Sequence, residues 1–171
     1  MILRRCFVIS MMIAAVVLTG WGGGVARAAP VSPSETPSPS LDRALATIRS
    51  QGYTATQTGG FNQNNDLSVI VARWSGSVDG HPQRAFLFHR GHLVGADTAR
   101  PSATIRWIWS TSDVVALGYD LYHSTDPLCC PTAGAATVRY RWDETKVSSQ
   151  DPVPPASWSA PVSRRAVNNT G

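Results

Sequence analysis

The chain lacks the motifs on which several classes of enzyme depend. It has no G-x-S-x-G around a serine nucleophile and no glycine-rich phosphate-binding loop. Of its three cysteines, the two that follow the N-terminal leader are adjacent, Cys129 and Cys130, so they do not form the C-x-x-C of a thioredoxin-like oxidoreductase. The carboxylates that a glycosidase would need are available only as Asp113, Asp120 or Asp143, whose surroundings indicate turns and solvent-facing strand positions. We therefore expect no enzyme and no cofactor.

Two further absences limit the partners. After the leader there is no apolar run near the roughly 20 residues that a membrane-spanning helix requires, so we expect no transmembrane segment in the mature chain. The chain has 15 basic and 11 acidic residues, but Arg4, Arg5 and Arg27 precede the predicted cleavage site and no acidic residue does. The mature chain is therefore nearly neutral. Because nucleic-acid binding needs a clustered basic face, we expect no nucleic-acid partner.

The first 28 residues have the organisation of a signal peptide. Two arginines precede an almost wholly apolar run at residues 7–19, and a small-x-small tripeptide ends at Ala28. We predict cleavage between Ala28 and Ala29, with retention as a short uncleaved anchor as the other interpretation. The arginine pair fits an ordinary Sec leader and also a twin-arginine signal, and both routes of export stay open.

The leader contains a degenerate lipobox. The sequence Leu18-Thr19-Gly20-Trp21 matches three-quarters of a bacterial lipoprotein signal but has tryptophan where that signal has cysteine. Lipid is attached to such a signal through a thioether, and an indole has no sulfur from which to form one. The sequence thus indicates a lipoprotein-like chain that has lost its lipid anchor. We expect an exported protein, secreted or in the cell envelope, that is not lipid-anchored.

Composition divides the mature chain into three parts. Residues 29–40 are rich in proline and serine, which is typical of an extended, solvated linker. Residues 155–171 have few apolar residues in series, which predicts a disordered C-terminal tail. Residues 41–154 are long enough to bury about 65% of the surface of the unfolded chain, and we expect one folded domain there.

The apolar periodicity of this domain predicts its fold class. Leu41, Ala44, Leu45 and Ile48 follow the helical spacing, with Ser40 as a candidate N-cap and Gly52 as a stop signal. The period then changes to two. The predicted strands lie within residues 67–71, 105–109, 115–121 and 138–142, and a hairpin at 86–94 turns at Arg90-Gly91. We expect an α+β domain in which an N-terminal helix packs on a curved antiparallel sheet of five or six strands.

Several short motifs share their order and spacing with one known family. They are FHRGHLVGADT at 88–98, CCP at 129–131, Gly134, VRYRW at 138–142 and DPVP at 151–154. On these motifs the chain resembles the LppP/LprE family of actinobacterial lipoproteins over residues 41–155. The resemblance implies a cell-envelope location and no established activity. Trp21 departs from the family pattern, which has a lipid-bearing cysteine there.

The adjacent cysteines have three interpretations. Outside the cytosol cysteines tend to oxidise, which favours a disulfide between Cys129 and Cys130. Neighbouring Cα atoms are about 3.8 Å apart, below the usual range of about 4.4 to 6.8 Å, so that bond would be strained. It would also close almost no loop, so its simplest role is to stiffen one turn, and redox sensing is the other. Free thiols and an intermolecular bridge or modification also stay open.

The histidines give a weak metal-site pattern. His89 and His92 flank the predicted hairpin turn, and His81, His123 or Asp97 would have to complete a ligand set. Zinc sites need three or four converging ligands, and nothing in the spacing indicates such convergence. We therefore expect surface or sheet-edge histidines and no metal site.

The aromatic residues give one candidate ligand platform. Trp107, Trp109 and Tyr122 would offer ring faces to sugars or lipids if they shared one exposed surface. Aromatic residues at alternate strand positions are also ordinary sheet residues, so packing in the core is the favoured interpretation.

These observations lead to two hypotheses of function. The first is an exported, non-enzymatic module that binds an unidentified envelope component or has a structural role. The alternative is a redox-active or metal-dependent envelope enzyme that uses Cys129 and Cys130 together with His89 and His92. The sequence leaves the ligand, the strand order and the oligomeric state open.

Overall fold

The computed structural model describes residues 39–168, which fall within one compact unit. The predicted signal peptide (1–28), its cleavage site at Ala28 and Ala29, the degenerate lipobox (18–21) and most of the linker (29–40) lie outside the described residues. Within residues 39–168 no helix has the length and apolar character needed to cross a bilayer.

The predicted helix is present as α1, Pro39–Ser50. It begins before Ser40, which therefore lies in the first turn and is not the N-cap. It ends as expected, because the Gly52 N–H donates to the Arg49 carbonyl over 2.9 Å and Gly52 adopts a φ of 82°. Ala44 and Ile48 are buried, so the apolar face identified in the sequence is the face that packs.

Within residues 39–168, the strands form two four-stranded antiparallel sheets and one short pair. The first sheet has the order β1-β2-β3-β4, the second β5-β6-β8-β9, and β10 pairs with β7. The predicted strands and hairpin are present, but the expectation of five or six strands in one sheet is wrong. The strands that the sequence periodicity missed are the shortest and most polar ones, which have too few residues to show a period. The strands are β1 (Tyr53–Gln57), β2 (Ser68–Trp74), β3 (Gln83–His89), β4 (His92–Ala96), β5 (Ile105–Ser110), β6 (Val114–Asp120), β7 (Tyr122–His123), β8 (Ala135–Trp142), β9 (Val147–Ser149) and β10 (Val162–Ser163).

The first sheet lies between the helix and the second sheet. Its central strands β2 and β3 are buried on both faces, which explains their nearly continuous apolar sequences. On one face Ile70 and Phe86 pack with Ile48 of the helix. On the other face Val69 packs with residues of the second sheet such as Leu117. The core therefore consists of two apolar layers, one on each side of the first sheet.

Two glutamines of the first sheet satisfy the open edge of β5. The side-chain carbonyl of Gln57 accepts a hydrogen bond from the Trp107 N–H, and that of Gln83 accepts one from the Ile105 N–H, both over 2.9 Å. An edge strand otherwise leaves these donors without partners. The same contacts fix the position of the second sheet relative to the first.

Residues 155–168, here called the C-terminal clasp, correct the prediction of a disordered tail at 155–171. β10 of the clasp pairs with β7, and the Ala103 N–H donates to the carbonyl of Arg165 over 2.9 Å. Segment composition predicted solvation because it counts arginine and serine as solvated residues. In the folded chain Ser163 and Arg165 are buried, since their partners come from distant parts of the sequence.

Arg165 anchors the clasp. Its guanidinium carbon lies 4.5 Å from the centre of the Trp158 ring and 5.2 Å from that of Tyr122. Its Nη2 donates to the carbonyls of His123 (2.7 Å) and Ser124 (3.0 Å). Ring faces and backbone carbonyls thus stabilise a buried cation.

Candidate functional site

The three aromatic residues of the candidate platform do not share one exposed surface. Tyr122 is fully buried, and its hydroxyl donates to the Leu128 carbonyl over 3.0 Å. A β-bulge separates the other two, since Trp107 pairs with Leu117 and Trp109 with Ala116. The bulge adds one residue to β5, so the partners of the two tryptophans are consecutive residues of β6, which face opposite sides of the sheet. Trp107 therefore packs on the core, and Trp109 is 42% exposed.

The structure places Cys129 and Cys130 as an exposed vicinal pair with Cα atoms 3.8 Å apart. The Cys130 N–H donates to the carbonyl of Pro127 over 3.1 Å and closes a turn. The carboxylate of Asp126 organises the surrounding loop by accepting from the N–H groups of His123 and Thr132. The pair thus lies in a tightly hydrogen-bonded turn, and the bond between the two sulfurs stays a prediction.

The histidines do not converge on a metal site. Nδ1 of His81 lies 2.7 Å from the carbonyl oxygen of Ala103. Nδ1 of His89 lies 2.7 Å from that of Asp66. His92 pairs with His89 across the β3–β4 hairpin but is exposed. Between residues 39 and 168, no group of three His, Cys, Asp or Glu residues is placed to hold a metal ion.

Asp97 belongs to a polar network in the core. Its carboxylate accepts hydrogen bonds from the Ala85 N–H (3.0 Å) and the Tyr119 hydroxyl (2.8 Å). The Tyr140 hydroxyl lies 2.7 Å from that of Tyr119 and donates to it, because the Tyr119 proton is already used. Burial raises the pKa of Asp97 and that of Tyr119. Arg164 of the clasp contributes an opposing positive charge.

One cleft lies between turns that belong to the first and the second sheet. It has a volume of about 350 Å³ and is lined by Asp66, His89, Arg90, Trp142 and Glu144, here called the hairpin cleft. Asp66 precedes β2, the next two residues lie at the β3–β4 turn, and the last two lie where β8 turns into β9. Both sheets therefore contribute residues to the lining.

Two of the lining residues form a stacked pair of rings. The rings of His89 and Trp142 have centres 4.3 Å apart and planes 18° from parallel. Because a carbonyl oxygen only accepts, the contact between Nδ1 of His89 and the Asp66 carbonyl puts a proton on Nδ1. In the neutral ring Nε2 is then a hydrogen-bond acceptor, held in one orientation.

Two charged residues of the cleft have a positive φ, which is uncommon for residues other than glycine. Arg90 has a φ of 47° and is followed by Gly91 at 79°, the combination that a type I′ hairpin turn requires. Glu144 has a φ of 75° in the turn that the hydrogen bond from the Asp143 N–H to the Lys146 carbonyl closes. A side chain in this region costs about 1 to 2 kcal/mol relative to ordinary backbone. Both turns would be less strained with glycine or asparagine at these positions.

The charges of the cleft do not cancel. Nη2 of Arg90 lies 3.0 Å from the Asp66 carboxylate, and its Nε donates to the same oxygen. Glu144 forms neither a hydrogen bond nor an ion pair with any other residue of the described range. The hairpin cleft therefore has one ion pair and one uncompensated carboxylate.

Sequence reasoning identified only part of this site. His89 was a candidate as a metal ligand, and Trp142 was assigned to a strand. Asp66, Arg90 and Glu144 were not singled out. A charged residue before a turn glycine was the available signal for Arg90, whereas nothing local indicates that Asp66 and Glu144 meet.

The LppP/LprE lipoprotein family matches residues 59–145, about half of the chain, and the protein belongs to this family. The matched range includes all five residues of the hairpin cleft and both adjacent cysteines. Family membership implies an extracytoplasmic, envelope-associated protein. The chain matches no curated protein and no solved structure.

Proposed function

We propose that this protein is a non-enzymatic envelope module that binds a component of the cell envelope in the hairpin cleft. Charged side chains on strained backbone carry this proposal. Arg90 and Glu144 occupy turn positions that favour smaller residues, and both line one cleft over an oriented pair of rings. Strain of this kind is typical of binding sites, where the side chain has a use that offsets its cost.

The surroundings of His89 favour binding over catalysis. A histidine that activates a nucleophile forms a hydrogen bond to a hydroxyl or thiol and is oriented by a third group. In residues 39–168, the hydrogen bond of His89 goes to a backbone carbonyl, and its ring packs on Trp142. The two cysteines are in a different loop, next to Leu128, which lines a separate cleft of about 260 Å³.

We further propose that the mature protein is released and not lipid-anchored, because Trp21 supplies no sulfur for a thioether. Restoring the lipobox with Trp21→Cys should move the chain into the detergent phase when it is expressed in a bacterium that processes lipoproteins. The natural chain should stay in the aqueous phase. If both chains partition alike, the proposal that Trp21 prevents anchoring is wrong.

Binding to the envelope is testable by co-sedimentation. The exported natural chain should sediment with insoluble envelope fragments, and the double variant His89→Asn with Glu144→Gln should remain in the supernatant. Asp42→Asn is the matched control, since it removes one exposed carboxylate outside the cleft. If the natural chain does not sediment, or if all three chains sediment equally, the cleft is not the envelope-binding site.

The absence of catalysis needs its own test. The purified exported chain should show no turnover of a broad panel of ester, amide, phosphate and glycoside substrates. Turnover that His89→Ala abolishes would contradict the non-enzymatic proposal.

A further inference from the structure

We infer that the ligand of the hairpin cleft carries a primary ammonium group, which the Glu144 carboxylate recognises with Nε2 of His89 as a second acceptor. This inference rests on the proposed function and names the chemistry of its ligand. An ammonium group of this kind occurs on amino sugars and on amino-acid side chains. Both sources offer the same chemistry to the cleft.

The hydrogen-bonding groups of the cleft are mainly acceptors. Glu144 is a carboxylate without a partner in the described residues, and with the proton on Nδ1 the Nε2 of His89 offers an acceptor. The one strong donor, Arg90, is engaged by Asp66 at 3.0 Å. An ammonium offers three donors and no acceptor, so it complements this set.

The net charge of the cleft favours the same ligand. Asp66 and Arg90 compensate each other, which leaves the charge of Glu144. Hydrogen bonds between ionised partners are shorter and stronger than neutral ones, so a cation gains more here than a hydroxyl. The volume of about 350 Å³ is near the lower end of ligand clefts and suits one sugar or one side chain.

Other ligand classes fit less well. An anion would have to share Arg90 with Asp66 and would face Glu144. A flat aromatic ligand would need a free face of Trp142, but His89 covers one face at 4.3 Å and the ring also packs against the core. A metal ion would need a third ligand, and the described residues provide no such group.

Matched probes test the charge directly. The exported full chain is titrated with glucosamine and with Nα-acetyl-lysine amide, and in parallel with N-acetylglucosamine and Nα,Nε-diacetyl-lysine amide. Binding is followed by the NMR signal of the Trp142 indole N–H. At least one amine should shift this signal and bind about tenfold more tightly than its acetylated counterpart, because acetylation removes the charge. Glu144→Gln should weaken the binding of that amine by about tenfold, whereas Asp42→Asn should leave its affinity unchanged.

The outcomes separate this inference from the proposed function. If the natural chain sediments with envelope fragments but amines and acetylated probes bind equally, or no probe binds, the cleft recognises another group and the ammonium inference is wrong. If Glu144→Gln leaves amine binding unchanged, the inference is also wrong. If the chain neither sediments nor binds an amine, the proposed function fails with it. The amine that binds more tightly identifies the source.

Discussion

Between residues 39 and 168, three residues other than glycine have a positive φ. They lie in two regions, which differ in the contacts that offset the conformational energy of this backbone position. Arg165 of the C-terminal clasp has a φ of 48° and is buried between two rings and two carbonyls. Arg90 and Glu144, at 47° and 75°, line the hairpin cleft, where the described residues provide one exposed ion pair and no partner for Glu144.

The difference shows which strained residues stabilise the fold. The clasp gains ring contacts and hydrogen bonds that exceed the cost of one unfavourable φ. At the hairpin cleft the internal contacts are weak, since exposed ion pairs contribute little. The comparison predicts that removing the side chain destabilises the clasp but relieves the cleft.

The largest change in the free energy of unfolding is expected for a substitution in the clasp. Arg165→Gly relieves the backbone but removes both ring contacts and leaves the carbonyls of His123 and Ser124 without their donor. The free energy of unfolding should fall by about 2 to 3 kcal/mol, measured by urea denaturation. Arg49→Gly, at the exposed end of the helix, is the matched control and should cost about 1 kcal/mol or less. Equal losses at the two sites would remove the distinction between the clasp and the surface.

The core network beside the clasp should make stability depend on pH. Burial raises the pKa of Asp97, so the folded state retains its proton to higher pH than the unfolded state. The stabilisation is complete below the ordinary aspartate pKa of about 3.9 and is lost as pH rises through the folded value, by at most about 1.4 kcal/mol per pH unit. Asp97→Asn should flatten this slope in urea denaturation between pH 4 and 8. A slope unchanged in Asp97→Asn would show that another group titrates.

Asp151 gives the opposite dependence and serves as the internal comparison. Its hydrogen bonds with Arg139 lower its pKa to about 2. Its stabilisation is therefore present above the ordinary aspartate pKa and is lost as pH falls toward 2. Asp151→Asn should lower the free energy of unfolding at neutral pH and remove the fall between about pH 4 and 2, so that the variant and the natural chain converge in acid. An acid slope that is unchanged in Asp151→Asn would contradict the assignment.

Substitutions in the hairpin cleft should have a smaller effect on the free energy of unfolding, and it should be stabilising. Glu144→Gly relieves the positive φ and loses no hydrogen bond or ion pair within the described residues, so the free energy of unfolding should rise by about 1 kcal/mol while binding to envelope fragments is lost. Arg90→Asn, which creates an Asn-Gly type I′ turn, should also stabilise the chain, by roughly 0.5 kcal/mol. Loss of stability in Glu144→Gly would mean that the side chain serves the fold and not a ligand.

The smallest effect is expected at the adjacent cysteines. A bond between them closes almost no loop, so replacing Cys129 and Cys130 by serine should change the free energy of unfolding by less than about 0.5 kcal/mol. Intact mass before and after reduction should show a gain of two hydrogens if the bond is present. A large loss of stability, or no change in mass on reduction, would contradict this assignment.

The regular parts of the fold were predictable because their signals are local. The spacing of Leu41, Ala44 and Ile48 defined the buried face of the helix, and the alternation at 138–142 defined β8. The number of sheets was not predictable, because β9 and β10 are too short to show a period and their pairing depends on partners far along the chain. Composition failed at the clasp, since it cannot show that Arg165 meets Trp158 and Tyr122.

The sequence by itself determined the family, the exported character implied by that family, the helix and the main strands. Each of these depends on residue identity or on spacing within one segment. Only the tertiary structure decided that Asp66, His89 and Glu144 share one cleft and that the arginines of the clasp are buried. These contacts join residues from separate strands and turns, and their energies depend on burial and geometry that no local pattern contains.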